Sequence, residues 1–242
     1  MMNEIIKNTL APVLKNGKIH IDSKFKKVKL DVGLSMNAPN SEYWLQRESD
    51  LIVFGFEPST KCHESFSKNN QQMRELYPQY TFIDPNRINE TFFPIQCALS
   101  DGQPSYEKFF ITGNDLGCSS LYEPVYFPVV STEIVPVINL KNFFELFPWE
   151  AIEYIDQLKI DAQGSDYKIL VGAGEYLSRI VYITVENTTQ DQYKKPDDYF
   201  RFDHYLNQFG FILTKAEGIN STYLNTNLID KLQDINFFTE DK

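Results

Sequence analysis

Short apolar runs, rich in β-branched and aromatic residues, recur along the chain. They alternate with longer polar stretches in which apolar positions return at helical spacing. The runs predict strands over 28–32, 51–56, 93–98, 106–111, 134–140, 155–160 and 181–185, closed by a pair at 209–215 and 221–224. The intervening stretches predict helices over 40–47, 59–66, 71–77, 141–146, 165–171 and 196–207. Such alternation predicts an α/β domain, a mostly parallel sheet covered by helices. Residues 1–24 read as a lead-in with a helical face of Ile5, Ile6 and Leu10, and the core runs from about 25 to 230 as one domain. Ser59, after Pro58, is placed to cap its helix; Ser165 and Asp166 open another, and Gly172 and Gly174 are expected to end it. The polar stretch 68–92 reads as an insertion between the second and third core strands, and 111–136 as a long loop.

Composition sharpens this picture. A chain of 242 residues that is 42% hydrophobic, with 19 Phe and 14 Tyr, can bury one large aromatic core. The net charge of −10 argues against a nucleic-acid or anionic-membrane partner, which would want clustered Lys and Arg. The one basic cluster, at 24–29, reads as a solvated approach to an edge strand. Three cysteines without a C-x-x-C pair give no zinc signature and fit a reducing compartment. With no leader pattern and no apolar run near the roughly 20 residues a membrane helix needs, a soluble cytoplasmic protein is expected.

The chemistry-bearing residues fall at strand ends. In 28–37 an apolar strand ends in Asp31 and Gly33, where glycine permits a tight turn and close approach to a ligand. The next strand ends in Glu57 and Pro58, and a carboxylate there can accept both ribose hydroxyls of a nucleoside. At 95–101 a strand runs out into small and polar residues, where an adenine ring would lie. The segment 158–166 carries Lys159, Asp161 and Gln163 at a strand end before a helix. Its Asp161 could orient an acceptor hydroxyl or serve as a base, while Lys159 reads as a salt-bridge partner. Glu186 ends another strand and could converge with Asp161, as a shared base or a divalent-cation site, although no metal-ligand spacing predicts the cation. His63 is a further candidate base, close enough behind Glu57 to reach the same crevice.

Taken in order, the segments 28–37, 55–58, 97–101, 117–121, 158–166 with 170–174, and 185–186 resemble the FkbM-type methyltransferases, a branch of the class I S-adenosylmethionine enzymes. The resemblance implies a Rossmann-like class I methyltransferase fold: a mostly parallel seven-stranded sheet whose terminal antiparallel hairpin comes from 209–215 and 221–224. It implies S-adenosylmethionine as cofactor and S-adenosylhomocysteine as product. Asp31 and Gly33, with Leu34, Ser35 and Asn37, would line the methionine and ribose part; Glu57 with Pro58 would hold the ribose; Ala98, Leu99 and Ser100 would border the adenine; Asp161 would stand near the transferred methyl. Many members carry Glu where this chain has Gln163, which cannot ionise.

The expected reaction is O-methylation of a sugar, glycan or small secondary-metabolite hydroxyl. Asp161, Glu186 or His63 would remove the proton, and Gln163, Ser119, Ser120 and Tyr122 would contact the acceptor. The alternative is a degenerate module of this fold that binds a nucleoside or a protein partner. A nicotinamide oxidoreductase is disfavoured because G-x-G-x-x-G is absent after the first strand.

Overall fold

A computed structural model describes residues 2–69, 71–113, 115–186, 192–194 and 202–232. Its strands, in chain order, are β1 (Leu14–Lys15), β2 (Lys18–Ile19), β3 (Lys27–Val32), β4 (Leu51–Phe56), β5 (Phe92–Ile95), β6 (Ala98–Leu99), β7 (Ser105–Thr112), β8 (Val129–Ile138), β9 (Ile155–Ile160), β10 (Ile180–Glu186), β11 (Phe211–Glu217) and β12 (Asn220–Asn225). Seven of them form one sheet in the order β11-β12-β10-β9-β3-β4-β5. From β5 to β10 the neighbours are parallel, and the expected hairpin, β11 with β12, closes the far edge antiparallel.

Within this sheet the chain enters at β3, steps outward to β4 and β5, and later returns to lay β9 on the other side of β3. Strand order therefore reverses between β3 and β9. At such a switch point the connections leave in opposite directions and open a crevice at the carboxyl ends.

Every residue of β4, Leu-Ile-Val-Phe-Gly-Phe, is buried, as expected where helices cover both faces of a parallel sheet. Gly55 in this strand makes room for Leu34: a Cβ there would lie 2.7 Å from Leu34 Cδ1. Leu34 thus anchors the turn after β3 against the sheet. Beneath the other face, Phe143 sets its ring edge-on to Phe54 and Phe56, with centroids 5.3 and 5.5 Å away. Its helix, Leu140–Phe144, starts in a reciprocal capping box between Asn139 and Asn142. Truncating a buried phenylalanine of this kind costs about 3–5 kcal/mol, so this cluster is a principal support of the crevice floor.

Several expectations need correction. The run 93–98 is not one strand: Glu57 and Cys97 both donate N–H to the Ile95 carbonyl, the chain turns away, and β6 pairs with β8 instead. The runs at 106–111 and 134–140 leave the main sheet and build a three-stranded one, β6-β8-β7. Because β8 begins at Val129, the loop expected over 111–136 is shorter, ending where the second sheet takes over. The basic cluster enters no edge. β3 is hydrogen-bonded on both sides, and Lys27 and Lys29 are neutralised by Glu48, with Asp50 3.8 Å from Lys27.

The helix Asp166–Ala173 contains Gly172 rather than ending at it, and Gly174, at φ 57°, forms the stop. Gly172 is required by packing, since a Cβ would lie 2.2 Å from the Ser100 carbonyl oxygen. Ser165 precedes that helix without a capping hydrogen bond; Asp166 instead accepts from the Ala162 N–H at 3.3 Å. Ser59 does cap, accepting from Cys62 N–H at the start of Thr60–Glu64. Of the helix expected over 196–207, the described part is Phe202–Asn207, and the rest lies outside the described residues. Among the described residues no helix is long and apolar enough to cross a membrane.

Candidate active site

A cleft of about 610 Å³, counting its open mouth, lies over the carboxyl ends of β3, β4 and β9. Its floor is set by Gly33. The residue has φ +80°, and a Cβ there would sit 1.9 Å from the Asp161 carbonyl oxygen. Only glycine lets the turn after β3 come this close to the end of β9. Ser35 and Ala38, also at positive φ, continue the turn into the helix Pro39–Arg47.

Glu57 lines the cleft at the tip of β4 and is 5% exposed. Burial pushes its pKa up to about 8, against the opposing pull of the Ser59, Ser35 and Leu34 N–H groups. Phe56, Cys97, Ala98, Leu99, Phe109, Leu116 and Leu121 add an apolar wall. The two sheets meet in that wall: Phe56 comes from β4 of the large sheet, while Ala98, Leu99 and Phe109 come from β6 and β7 of the small one. A carboxylate beside an apolar slot suits a flat heteroaromatic group carrying a hydroxylated ring.

The opposite end is polar and highly connected. Lys159 is buried, 3.2 Å from Asp161, 3.8 Å from Asp31, and it donates to the Gly33 carbonyl at 3.4 Å. Burial opposes its charge, but Asp161 and Asp31 keep its pKa raised. Burial likewise works against Asp161, and Lys159 with neighbouring hydrogen bonds overrides it, holding that carboxyl below its ordinary value. Glu186 goes the other way. Burial and the Asp161 charge push it up to about 8. Gln163 bridges the two: its Nε2 donates to Asp161 Oδ1 at 2.6 Å and to Glu186 Oε2 at 2.9 Å. The lining reaches this end through Asp161, Ala162, Gln163 and Ser165, with Gly117 and Ser119 across from them.

The residues singled out from sequence fall into two groups. Gly33, Ser35, Glu57, Pro58, Ala98, Leu99, Ser119, Asp161 and Gln163 line the cleft. Asp31 stands beneath it, 1% exposed, with one carboxylate oxygen accepting from the Ser41 N–H and hydroxyl at 3.1 and 2.6 Å. Leu34 is the buried anchor on Gly55, and Asn37 and Ser100 lie outside the lining. Ser120 donates to the Gln163 carbonyl at 2.7 Å and accepts from the Tyr122 N–H, so both brace the wall from behind. Glu186 joins through Gln163 and through a side-chain hydrogen bond to Asp161. His63 is a correction: the helix Thr60–Glu64 turns its ring away from the cleft, to Phe66 and the Pro94 carbonyl, 3.4 Å away.

Four parts of the cleft wall and its support carried no sequence signal of their own. Phe109 and Leu116 look like ordinary core positions until the second sheet is known, and Leu121, although it ends the segment 117–121 of the family resemblance, had no role of its own. Tyr193 was not singled out either; its hydroxyl lies 2.5 Å from Gln163 Oε1. Among the described residues no three His, Cys, Asp or Glu side chains gather as a metal set.

The profile of the Methyltransferase FkbM domain matches residues 31–213, a span that holds the entire cleft lining. Among solved structures, M. capricolum TrmK in complex with its natural cofactor product S-adenosyl-homocysteine matches with 10% sequence identity and a TM-score of 0.41, over 93% of this chain and 70% of that one. No curated protein matches the chain.

Proposed function

The chain belongs to the FkbM methyltransferase family, whose methyl donor is S-adenosylmethionine, and we propose that it methylates a hydroxyl of a sugar, glycan or small secondary-metabolite acceptor. The observation that carries this reading is the pairing of Asp161 with Glu186 through Gln163 at one end of a cleft whose other end is an apolar slot beside Glu57. A carboxylate pair suits an oxygen acceptor, which must lose a proton as it gains a methyl group.

The residues present fit the cofactor. Glu57 offers a buried carboxylate to the two ribose hydroxyls, and its cost of burial is offset when those hydroxyls donate to it. The wall from Cys97 to Leu99 with Phe109, Leu116 and Leu121 excludes water from the adenine face. The Gly33 turn lets the backbone approach the ligand, and ionised Asp161 presents negative charge to the cationic methionine end. When bound, the cofactor supplies a methyl group activated by its sulfonium.

The protein's own contribution is alignment and proton removal. Asp161 receives the acceptor proton at the cleft, and Gln163 connects it to Glu186. Ser119, across the cleft, is available to orient the acceptor.

The test is calorimetric titration with S-adenosylmethionine and S-adenosylhomocysteine, repeated for Glu57→Ala, followed by labelled-methyl transfer to a panel of hydroxylated sugars and glycosides. Micromolar-range binding weakened by the substitution, with label appearing in a methyl ether, supports the reading. Folded protein that binds neither compound, or that labels only amine or thiol acceptors, refutes it.

A further inference from the structure

Tyr193 reaches the carboxylate pair from outside the segments that form the cleft. Its hydroxyl lies 2.5 Å from Gln163 Oε1 and 3.1 Å from the Cys118 carbonyl oxygen. Both neighbours are acceptors only, so the phenolic proton is committed to them. That commitment fixes the Gln163 carboxamide. Its oxygen faces the phenol, and its NH₂ must face Asp161 and Glu186; turned over, the amide oxygen would confront two carboxylates.

The phenol is itself held by a strap. Residues 192–194 run antiparallel beside 123–125: Val125 N–H donates to the Gln192 carbonyl at 2.8 Å, Lys194 N–H to the Glu123 carbonyl at 2.9 Å, and Lys194 Nζ lies 2.7 Å from Glu123. The Phe127 ring packs 6.2 Å from that of Tyr193. Tyr193 is 2% exposed, so the contact to Gln163 is shielded from competing water.

We propose that Tyr193 is a positioning residue for proton removal: by fixing the Gln163 carboxamide it holds the amide N–H donors on Asp161 and Glu186, two carboxyls that also hydrogen-bond each other and act as one base. This rests on the methyltransferase reading above. In the working state both carboxylates are ionised and share the NH₂ donors of Gln163. As the acceptor oxygen bonds to the methyl carbon, that carbon's bond to the donor sulfur breaks and its electron pair leaves with S-adenosylhomocysteine, while the acceptor O–H bond breaks and the proton passes to the pair, which then holds one proton. That proton leaves to solvent before the next cycle. Proton count and charge balance without a further reactant.

Among the described residues the groups facing the pair are few. Lys159 on β9 faces Asp161, with Asp31 on β3 behind it; Asp166 opens the helix beneath; Cys118 ends the turn Leu116–Cys118, which Asp115 caps; Tyr193 comes from the strap. Lys159 is the sole cation among these, and it lies on the Asp161 side. The proton of the pair therefore rests on Glu186, and the macroscopic titration belongs to the pair.

The experiment uses Tyr193→Phe, which keeps the ring against Phe127 and removes only the hydroxyl. Carboxyl carbons of the ligand-free protein are titrated by ¹³C NMR, with Glu186 assigned from Glu186→Gln. The pH profile of methyl transfer and the affinity for S-adenosylhomocysteine are measured alongside. With the amide released, the pair loses a donor to its charged form, so its midpoint should rise by at least about half a pH unit, roughly a threefold loss of the ionised base at neutral pH. The transfer profile should move equally, with cofactor-product affinity within about twofold of the parent. An unmoved Glu186 titration overturns the proposal whatever the activity. A moved titration with no transfer to any hydroxyl acceptor upholds the positioning role and refutes the reading it rests on.

Discussion

Gly33→Ala separates backbone strain from steric closure of the cleft. Alanine at φ +80° costs about 1–2 kcal/mol for its left-handed conformation alone. Its Cβ would also meet the Asp161 carbonyl oxygen at 1.9 Å, so the turn must retreat by more than an ångström. Three contacts depend on the present spacing: Gly33 N–H to the Phe56 carbonyl at 3.0 Å, Asp161 N–H to the Val32 carbonyl at 3.0 Å, and Lys159 Nζ to the Gly33 carbonyl at 3.4 Å. At about 1 kcal/mol each, losing two brings the total to about 3–4 kcal/mol. In a chain of this size that is a fall in Tm of roughly 10 °C.

Gly17→Ala supplies the control. It has φ +77° in the β1–β2 turn and nothing within 4 Å of a Cβ, so only the strain remains, roughly 4 °C. Thermal unfolding of the three proteins, with calorimetry of S-adenosylhomocysteine binding, measures both effects. Gly33→Ala should also lose at least about tenfold in affinity, as 1.4 kcal/mol of misalignment suffices. Equal Tm losses in the two variants, or unchanged affinity in Gly33→Ala, would refute the claim that close approach of β3 to β9 shapes the cleft.

Three further outcomes follow from the same geometry. Because burial raises Glu57 to about 8 without ligand and its ionised form is the better acceptor for ribose hydroxyls, affinity for S-adenosylhomocysteine should rise between about pH 7 and 9, a decade on either side of that value, and calorimetry on Glu57→Gln should show a flat dependence. Asp156, raised by burial to about 7 although it accepts from the Val28 N–H, binds its proton more tightly folded than unfolded, as does Asp166, raised to about 7 by burial. Their contribution is present below the ordinary carboxylate pKa and is lost as pH rises through about 7, so Tm should fall over that window, and less steeply in Asp156→Asn. Lys159→Met leaves buried Asp31 and half-buried Asp161 without their cation and should cost about 3–5 kcal/mol in denaturant unfolding; a loss under 1 kcal/mol would mean the ion pairs are not holding the network.

The strand ends were legible because apolar run, acidic tip and glycine coincide there: Asp31 with Gly33, Glu57, and Asp161 each announce a turn in the local sequence. Lys159 was legible as an ion-pair partner for the same reason, since carboxylates stand near it along β9 and its neighbour β3. What lay beyond reach was which strand each run would join. β7 and β8, like the main-sheet strands, are rich in β-branched and aromatic residues, and it is their mutual register, Ser105 opposite Val137 through Thr112 opposite Val129, that shows them forming a separate sheet. With that sheet unseen, Phe109 and Leu116 had no reason to be wall residues. Tyr193 was hidden by a different cause. Its effect on Gln163 depends on a return of the chain past Glu123 and Pro124, a contact that no periodicity encodes. His63 illustrates the reverse error, since nearness in sequence to Glu57 says nothing of which way one helical turn will point a ring.

Gly172 touches no ligand and holds no charge, yet its helix passes so near the Ser100 carbonyl that a single methyl group has nowhere to go. In a library carrying every substitution at every position, this site should be as intolerant as Glu57. The two would fail differently: variants at 172 would be lost from the folded pool, whereas variants at 57 would stay folded and lose affinity. Scoring abundance and ligand binding separately would therefore sort the chain into places where backbone meets backbone and places where chemistry is done, a distinction that intolerance alone does not draw.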